Sequence, residues 1–141
     1  MKKIQIVGIE QSYEWRADVS NSRDIALEEM KISNLGEQGI LKKLIPGAFN
    51  LYLDKNLLYS WDQYFEIIKQ LSYVRLVTLT GNKFRKIDKD YLKDKNINQM
   101  IHTSIFELVL IDMGLDWSQI DILAPVLCYV ENLHLCHNKC S

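Results

Sequence analysis

One eight-residue frame recurs through this chain and restricts the folds open to it. Leu51-Tyr-Leu-Asp-Lys-Asn56-Leu-Leu58 and Val77-Thr-Leu-Thr-Gly-Asn82-Lys-Phe84 carry it in full, and Leu133-His-Leu-Cys-His-Asn138-Lys-Cys140 differs by one letter at its last apolar position. The frame reads apolar, any, apolar, any, any, Asn, any, apolar, with a further apolar residue three places upstream at Ala48, Val74 and Val130. Two more copies, Ile25-Ala-Leu27-Glu-Glu-Met30-Lys-Ile32 and Leu108-Val-Leu110-Ile-Asp-Met113-Gly-Leu115, keep the apolar positions and replace Asn by Met.

This is the leucine-rich repeat pattern. Its middle leucines fall at Leu27, Leu53, Leu79, Leu110 and Leu135, in steps of 26, 26, 31 and 25 residues. Three steps lie in the usual window of about 20 to 29 residues. The long step predicts an insertion, placed in the polar run Asp88 to Asn98, near 85–98. At an offset of 56 residues Trp61 matches Trp117, Gln63 matches Gln119, Leu71 matches Leu127 and Tyr73 matches Tyr129. The repeating unit is therefore a whole turn, strand and return together.

The expected fold is α/β, a leucine-rich-repeat solenoid with parallel strands on the concave face and helices on the convex face. Strands are predicted near 25–27, 51–53, 77–79, 108–110 and 133–135. Side chains alternate along a strand, so Leu51 and Leu53 point inward while Asn50, Tyr52 and Asp54 point outward. A parallel sheet needs its other face covered, and Ser60 to Ser72 reads as a helical return. Ser60 is its N-cap, Asp62 favours its first turn, and Trp61, Tyr64, Phe65, Ile68 and Leu71 form its apolar stripe. Asp116 caps a second return to Leu127, which Pro125 should shorten or kink. Glu37 to Ile45 is a third, ended by Pro46-Gly47. Asn56, Asn82 and Asn138 are assigned to the turns, where an amide both donates to and accepts from backbone groups that the ladder leaves over. Met30 and Met113 have no such chemistry, so their turns should be looser or differently closed.

Residues 1–21 read as an N-terminal cap or incomplete repeat, in which Trp15 and Val19 could cover the first turn. Residues 22–141 read as the repeat domain of about five repeats. The fifth copy runs to the last residue, and terminal repeats ordinarily need a polar cap. The sequence is therefore expected to be a piece of a longer protein. A formal net charge of −1 gives no polybasic footprint for nucleic acid or anionic membrane. Met1 to Glu10 is too briefly apolar for a secretory signal, and no stretch approaches the roughly 18 to 20 apolar residues of a membrane span. Three cysteines, Cys128, Cys136 and Cys140, are an odd number and no secreted disulfide framework. A soluble intracellular protein is the expectation.

His134, Cys136, His137 and Cys140 invite a zinc site. The frame sends them apart: Cys140 to the core, His134 and Cys136 to the outer strand face, His137 to the turn. No metal, cofactor or catalytic residue is assigned, because convergence fails and no nucleophile elbow or phosphate loop is present. His102 reads as a surface residue. Trp61 and Trp117, at matching helix starts, both read as core residues packed over their turns. The run 85–98 reads as a solvated insertion rather than a docking loop.

The outer strand face is the best partner-binding surface. Across the stack one row is Asp24, Asn50, Leu76, Glu107, Asn132, the next Ala26, Tyr52, Thr78, Val109, His134, and the third Glu28, Asp54, Thr80, Ile111, Cys136. Tyr52, Leu76, Val109 and Ile111 place apolar groups where solvent is expected, which marks interaction. The predicted contact set is Asn50, Tyr52, Asp54, Leu76, Thr78, Glu107, Val109, Ile111, Asn132 and His134.

With that frame in place, the sequence resembles the leucine-rich-repeat region of the tubulin-specific chaperone E (tubulin folding cofactor E) family. Asp54-Lys-Asn-Leu-Leu-Tyr-Ser-Trp-Asp62 is similar to the family's "SKNLLSSWDE" segment, and Gly36-Glu-Gln-Gly39 falls where the family has "GEKGG". Leu108-Val-Leu110 followed by Gly114-Leu-Asp-Trp117 resembles "LVLN…GITW", and Ile6-Val-Gly-Ile9 resembles "FVGF". The resemblance runs from about Ile6 to Asn138. It implies a non-enzymatic cofactor that binds α-tubulin and, with other tubulin folding cofactors, helps assemble or take apart the tubulin heterodimer. The location implied is the cytoplasm, in association with the cytoskeleton. Family members carry a CAP-Gly domain before the repeats and a ubiquitin-like domain after them; these residues supply neither. A generic repeat adaptor, of the phosphatase-regulatory or dynein-associated type, is the competing expectation, and oligomeric state is left open.

Overall fold

A computed structural model of the chain describes residues 23–29 and 39–138. Five three-residue strands, β1 (Asp24–Ala26), β2 (Asn50–Tyr52), β3 (Leu76–Thr78), β4 (Glu107–Val109) and β5 (Asn132–His134), form one parallel sheet in chain order. Between them run α1 (Ile40–Leu44), α2 (Trp61–Lys69), α3 (Ile97–Met100) and α4 (Trp117–Leu123), the last continued by a 3-10 turn at Ala124–Val126. This is the α/β arrangement expected of the repeats. The expected cap over 1–21, and the Met30 turn, lie outside the described residues.

Each strand starts one residue earlier than the frame suggests. The middle leucines still donate to the neighbouring strand, Leu53 N–H to Thr78 O at 2.9 Å and Leu79 N–H to Val109 O at 2.9 Å, but the chain is already turning there. Two residues beyond every middle leucine, the backbone is left-handed: Glu29, Lys55, Gly81, Asp112 and His137 have φ of 56°, 54°, 83°, 54° and 60°. Only Gly81 suits that conformation sterically. A Cβ on it would sit 3.2 Å from the Lys55 side chain, so close stacking of the turns also favours glycine here.

The core lies between the sheet and its returns. Leu51, Leu53, Leu58, Val77, Leu79, Leu108, Leu110 and Leu115 are buried, as are the upstream Ala48 and Val74. Losing any of these leucines to alanine costs about 2 to 5 kcal/mol. In α2 the Ser60 hydroxyl accepts from Gln63 N–H, while Gln63 Oε1 accepts from Tyr59 N–H at 2.8 Å and Ser60 N–H at 3.1 Å. That reciprocal capping satisfies donors that the first helical turn leaves open. Asp116 caps α4 through Gln119 N–H at 3.1 Å. The Ser118 hydroxyl and then the Gln119 amide hold its carboxyl below the usual carboxylate range. Pro125 lies in the 3-10 turn, and α4 stops at Leu123 as expected.

The run 85–98 is mostly exposed, as expected of a solvated insertion, but it also packs on the core. Ile87, Tyr91, Leu92 and Ile97, followed by Met100 and Ile101, pack against the core, so the segment serves as the return of the third repeat. Its apolar residues are diluted among Asp, Lys and Asn, which hides them from a composition reading. Tyr91 Oη donates to Asp62 Oδ1 at 2.6 Å, tying the segment to α2, and Lys95 Nζ sits 4.2 Å from the Tyr91 ring centre. Burial, then the Asp62 carboxylate, pushes the Tyr91 phenol up from its ordinary value.

Candidate protein-binding surface

Parallel pairing places residues of successive repeats side by side, about 4.8 Å apart. Asp24, Asn50, Leu76, Glu107 and Asn132 form one row of the observed register, and Ala26, Tyr52, Thr78, Val109 and His134 the next. Backbone bonds beyond the strands carry the register onward, Lys55 N–H to Thr80 O at 2.7 Å and Gly81 N–H to Ile111 O at 3.0 Å, which aligns Asp54, Thr80 and Ile111.

Rows this close shield one another. Tyr52, Leu76, Val109 and Ile111 are half-buried rather than fully solvent-facing, and Thr78 in their midst is buried, with no hydrogen-bond partner for its hydroxyl among the described residues. Much of the polar complement is already engaged. Asn50 Nδ2 donates to Asp24, Asp54 Oδ1 accepts from Thr80 N–H at 2.8 Å, and His134 Nε2 meets Glu107 Oε2 at 2.9 Å. Asn132 is exposed. The outer face is thus an apolar band edged by polar groups that mostly tie neighbouring strands together.

The turn asparagines link each repeat to the one before it. Asn82 Nδ2 donates to Leu79 O at 2.9 Å in its own turn and to Leu53 O at 2.8 Å in the previous one, while its Oδ1 accepts from Leu58 N–H at 3.2 Å. Asn56 donates likewise to Leu53 O and Leu27 O. Asn138 donates to Leu135 O and Leu110 O and accepts from Met113 N–H at 2.8 Å and Leu115 N–H at 3.1 Å. The Met113 turn is therefore closed from the following repeat. Its own side chain is spent on the core, where it is buried.

Two expectations are corrected. Trp61 is buried, 1% exposed, with Phe84 edge-on at 4.9 Å and Tyr64 at 5.5 Å, but Trp117 is 56% exposed. The counterpart of Phe84 in the Trp117 unit is Cys140, which is far smaller than a phenyl ring and lies outside the described residues. His102 is half-buried and bonded rather than a free surface residue. Its Nε2 lies 2.8 Å from Leu71 O, to which it donates, and its Nδ1 accepts from Ser104 N–H at 3.2 Å. A neutral ring fits both bonds, and burial lowers its pKa from the ordinary value.

Among the described residues the large apolar side chains that are exposed, Leu57, Tyr59, Tyr73, Trp117 and Tyr129, all lie away from the strand rows. Tyr73 and Tyr129 are 64% and 52% exposed at equivalent positions, and their match at the 56-residue offset was the available signal. Cys128 and Cys136 are exposed free thiols, and among the described residues no three His, Cys, Asp or Glu side chains form a metal-binding group.

Among the described residues no helix is long and apolar enough to cross a membrane. No family model matches the sequence. Among curated proteins the chain is similar to tubulin-specific chaperone E of Mus musculus, 28% identical over 140 residues, which is 99% of this chain and 26% of that protein. The Xenopus laevis protein of the same name is 28% identical over 143 residues. Tubulin-folding cofactor E of Arabidopsis thaliana is 28% identical over 138 residues, 98% of this chain and 24% of the relative. The chain spans about a quarter of the length of the curated relatives it matches. From plant to vertebrate, the sequence that this chain resembles over nearly its whole length is that of tubulin-specific chaperone E.

Proposed function

We propose that this chain is the repeat region of a tubulin folding cofactor that holds α-tubulin against the outer face of its sheet. The observation that carries the reading is similarity over 98–99% of the chain to proteins named for tubulin folding, in animals and a plant. The function is binding rather than chemistry, exercised in the cytoplasm with other folding cofactors and in association with the cytoskeleton. Residues 1–21 act as a cap or incomplete repeat, residues 22–141 as the repeat domain, and the whole as part of a longer protein. Half-buried Tyr52, Leu76, Val109 and Ile111 gain by losing their remaining water to a partner. Asn50, Asp54, Glu107, Asn132 and His134 edge that band and set orientation, with Thr78 beneath it between Tyr52 and Val109.

The test is a pull-down from cell extract with tubulin quantified by immunoblot, comparing wild type with the Tyr52→Asp, Ile111→Asp double variant. Wild type should enrich α-tubulin, and the double variant should lose that enrichment while its circular dichroism and melting curve stay those of a folded protein. A folded double variant that retains tubulin as well as wild type would defeat the assignment of the outer face. A wild-type protein that enriches other cytoskeletal proteins equally would favour the generic adaptor instead. Where the aspartates unfold the chain, Tyr52→Ser with Ile111→Ser makes the same comparison.

A further inference from the structure

The residue four places before each middle leucine occupies the loop edge where the chain enters a strand. In the first four repeats those residues are Arg23, Phe49, Arg75 and Phe106, alternating cation and ring. Register stacks them: Phe49 N–H donates to Arg23 O at 2.8 Å, Arg75 N–H to Phe49 O at 2.7 Å, and Phe106 N–H to Arg75 O at 3.0 Å. Their side chains meet as well. The Arg23 guanidinium carbon lies 4.3 Å from the centre of the Phe49 ring, and that of Arg75 lies 5.1 Å from Phe49 and 5.9 Å from Phe106.

A guanidinium seated over aromatic rings is held in place by the ring quadrupole while its N–H groups remain available for two-point contact with a carboxylate. Both arginines are exposed, and neither is ion-paired among the described residues. The nearest acids in the register are occupied elsewhere, Asp24 with Asn50 and Glu107 with His134. Tyr73, two residues before Arg75, is 64% exposed.

We propose that this edge is a binding site for an acidic peptide segment, with Arg23 and Arg75 each taking one side-chain carboxylate. The two arginines are two strands apart, about 10 Å. Residues three apart in an extended polyproline-type segment are separated by about 9.3 Å and project from the same side, so the site selects acidic residues at that spacing. Peptide carboxylates are preferred to nucleic-acid phosphates because the exposed Glu131 stands next in the row and the chain carries a net charge of −1. The site shares no residue with the outer sheet face and stands independently of the tubulin reading.

The experiment is fluorescence anisotropy with a labelled proline-rich peptide bearing two glutamates three residues apart, against its glutamine counterpart. Wild-type protein should bind the glutamate peptide, ignore the glutamine one and release it in 1 M salt, where the Debye length is about 3 Å. Arg75→Gln should weaken binding about tenfold or more, as loss of a charge-assisted pair does. Arg75→Lys should also weaken it, because an ammonium lacks the planar fork, while Lys93→Gln in the insertion should leave it unchanged. Circular dichroism checks that each variant is folded, and Arg23→Gln replaces Arg75→Gln if the latter is not. Equal binding by wild type and the folded Arg75 variants overturns the proposal. So does binding of the glutamine peptide, tighter binding of an oligothymidylate of equal charge, or absence of binding at millimolar peptide.

Discussion

At the residue scale the asparagine turns show why one amide per repeat is enough. Each side chain donates to a carbonyl of its own turn and to one in the turn before, so a single residue closes a loop and stitches two repeats. Asn82 does this at 0% exposure, whereas Asn138 is half-buried. Removing a buried amide leaves its partners without water, at a cost of about 1–3 kcal/mol. Asn82→Ala should therefore destabilise the chain more than Asn138→Ala, even though Asn138 serves two amides as acceptor, because water reaches its site. Urea denaturation of both variants measures this, and equal shifts in midpoint would contradict it. The role of these asparagines was legible from the frame. That of His102 was not, because its partner Leu71 lies 31 residues away and belongs to no motif.

At the element scale the two tryptophan-led helices separate local from tertiary control. Both start where the sequence says, behind Ser60 and Asp116, because a cap is settled within four residues. The fates of their first residues differ, since a tryptophan is buried only if the next turn offers something to lie against. Phe84 does so for Trp61. Trp61→Ala should cost about 3–5 kcal/mol, whereas Trp117→Ala should change stability by no more than about 0.5 kcal/mol, as surface substitutions do. Thermal melts of the two variants decide; comparable losses would mean that Trp117 is packed. The third return carries a related lesson. Its apolar residues are sparse, but they pack against the core once the long repeat closes, and Tyr91 fixes the segment to Asp62.

At the scale of the molecule, stability passes from neighbour to neighbour, as in any repeat stack. Leu53, Leu79 and Leu110 are at most 2% exposed, while Leu133 and Leu135 of the fifth repeat are only half-buried. Amide exchange should follow that gradient. The amides of Leu53 and Leu79, bonded to Thr78 O and Val109 O, should be the slowest. Those of Glu131 and Asn132, bonded to Phe106 O, should exchange at least about tenfold faster. Mass-spectrometric exchange resolved to single peptides tests this, and uniform protection would show that the five repeats open as one unit.

The periodic elements needed only the sequence. Alternation, the asparagine offset and the caps are rules that act over two to eight residues, and each repeat states them again, so strands, turns and helix starts could be read without a partner. Everything that depends on what lies one repeat away belonged to the tertiary structure. Packing across repeats decided that Trp61 is buried and Trp117 is not, and that the insertion is a working return. It also decided that the outer-face carboxylates are spent on their neighbours and that arginine and phenylalanine 26 residues apart in sequence stand in contact. The physical reason is the register of a parallel sheet. It brings residues of equivalent position to within about 5 Å of each other, and which pairs then meet depends on the chemistry of two distant residues at once.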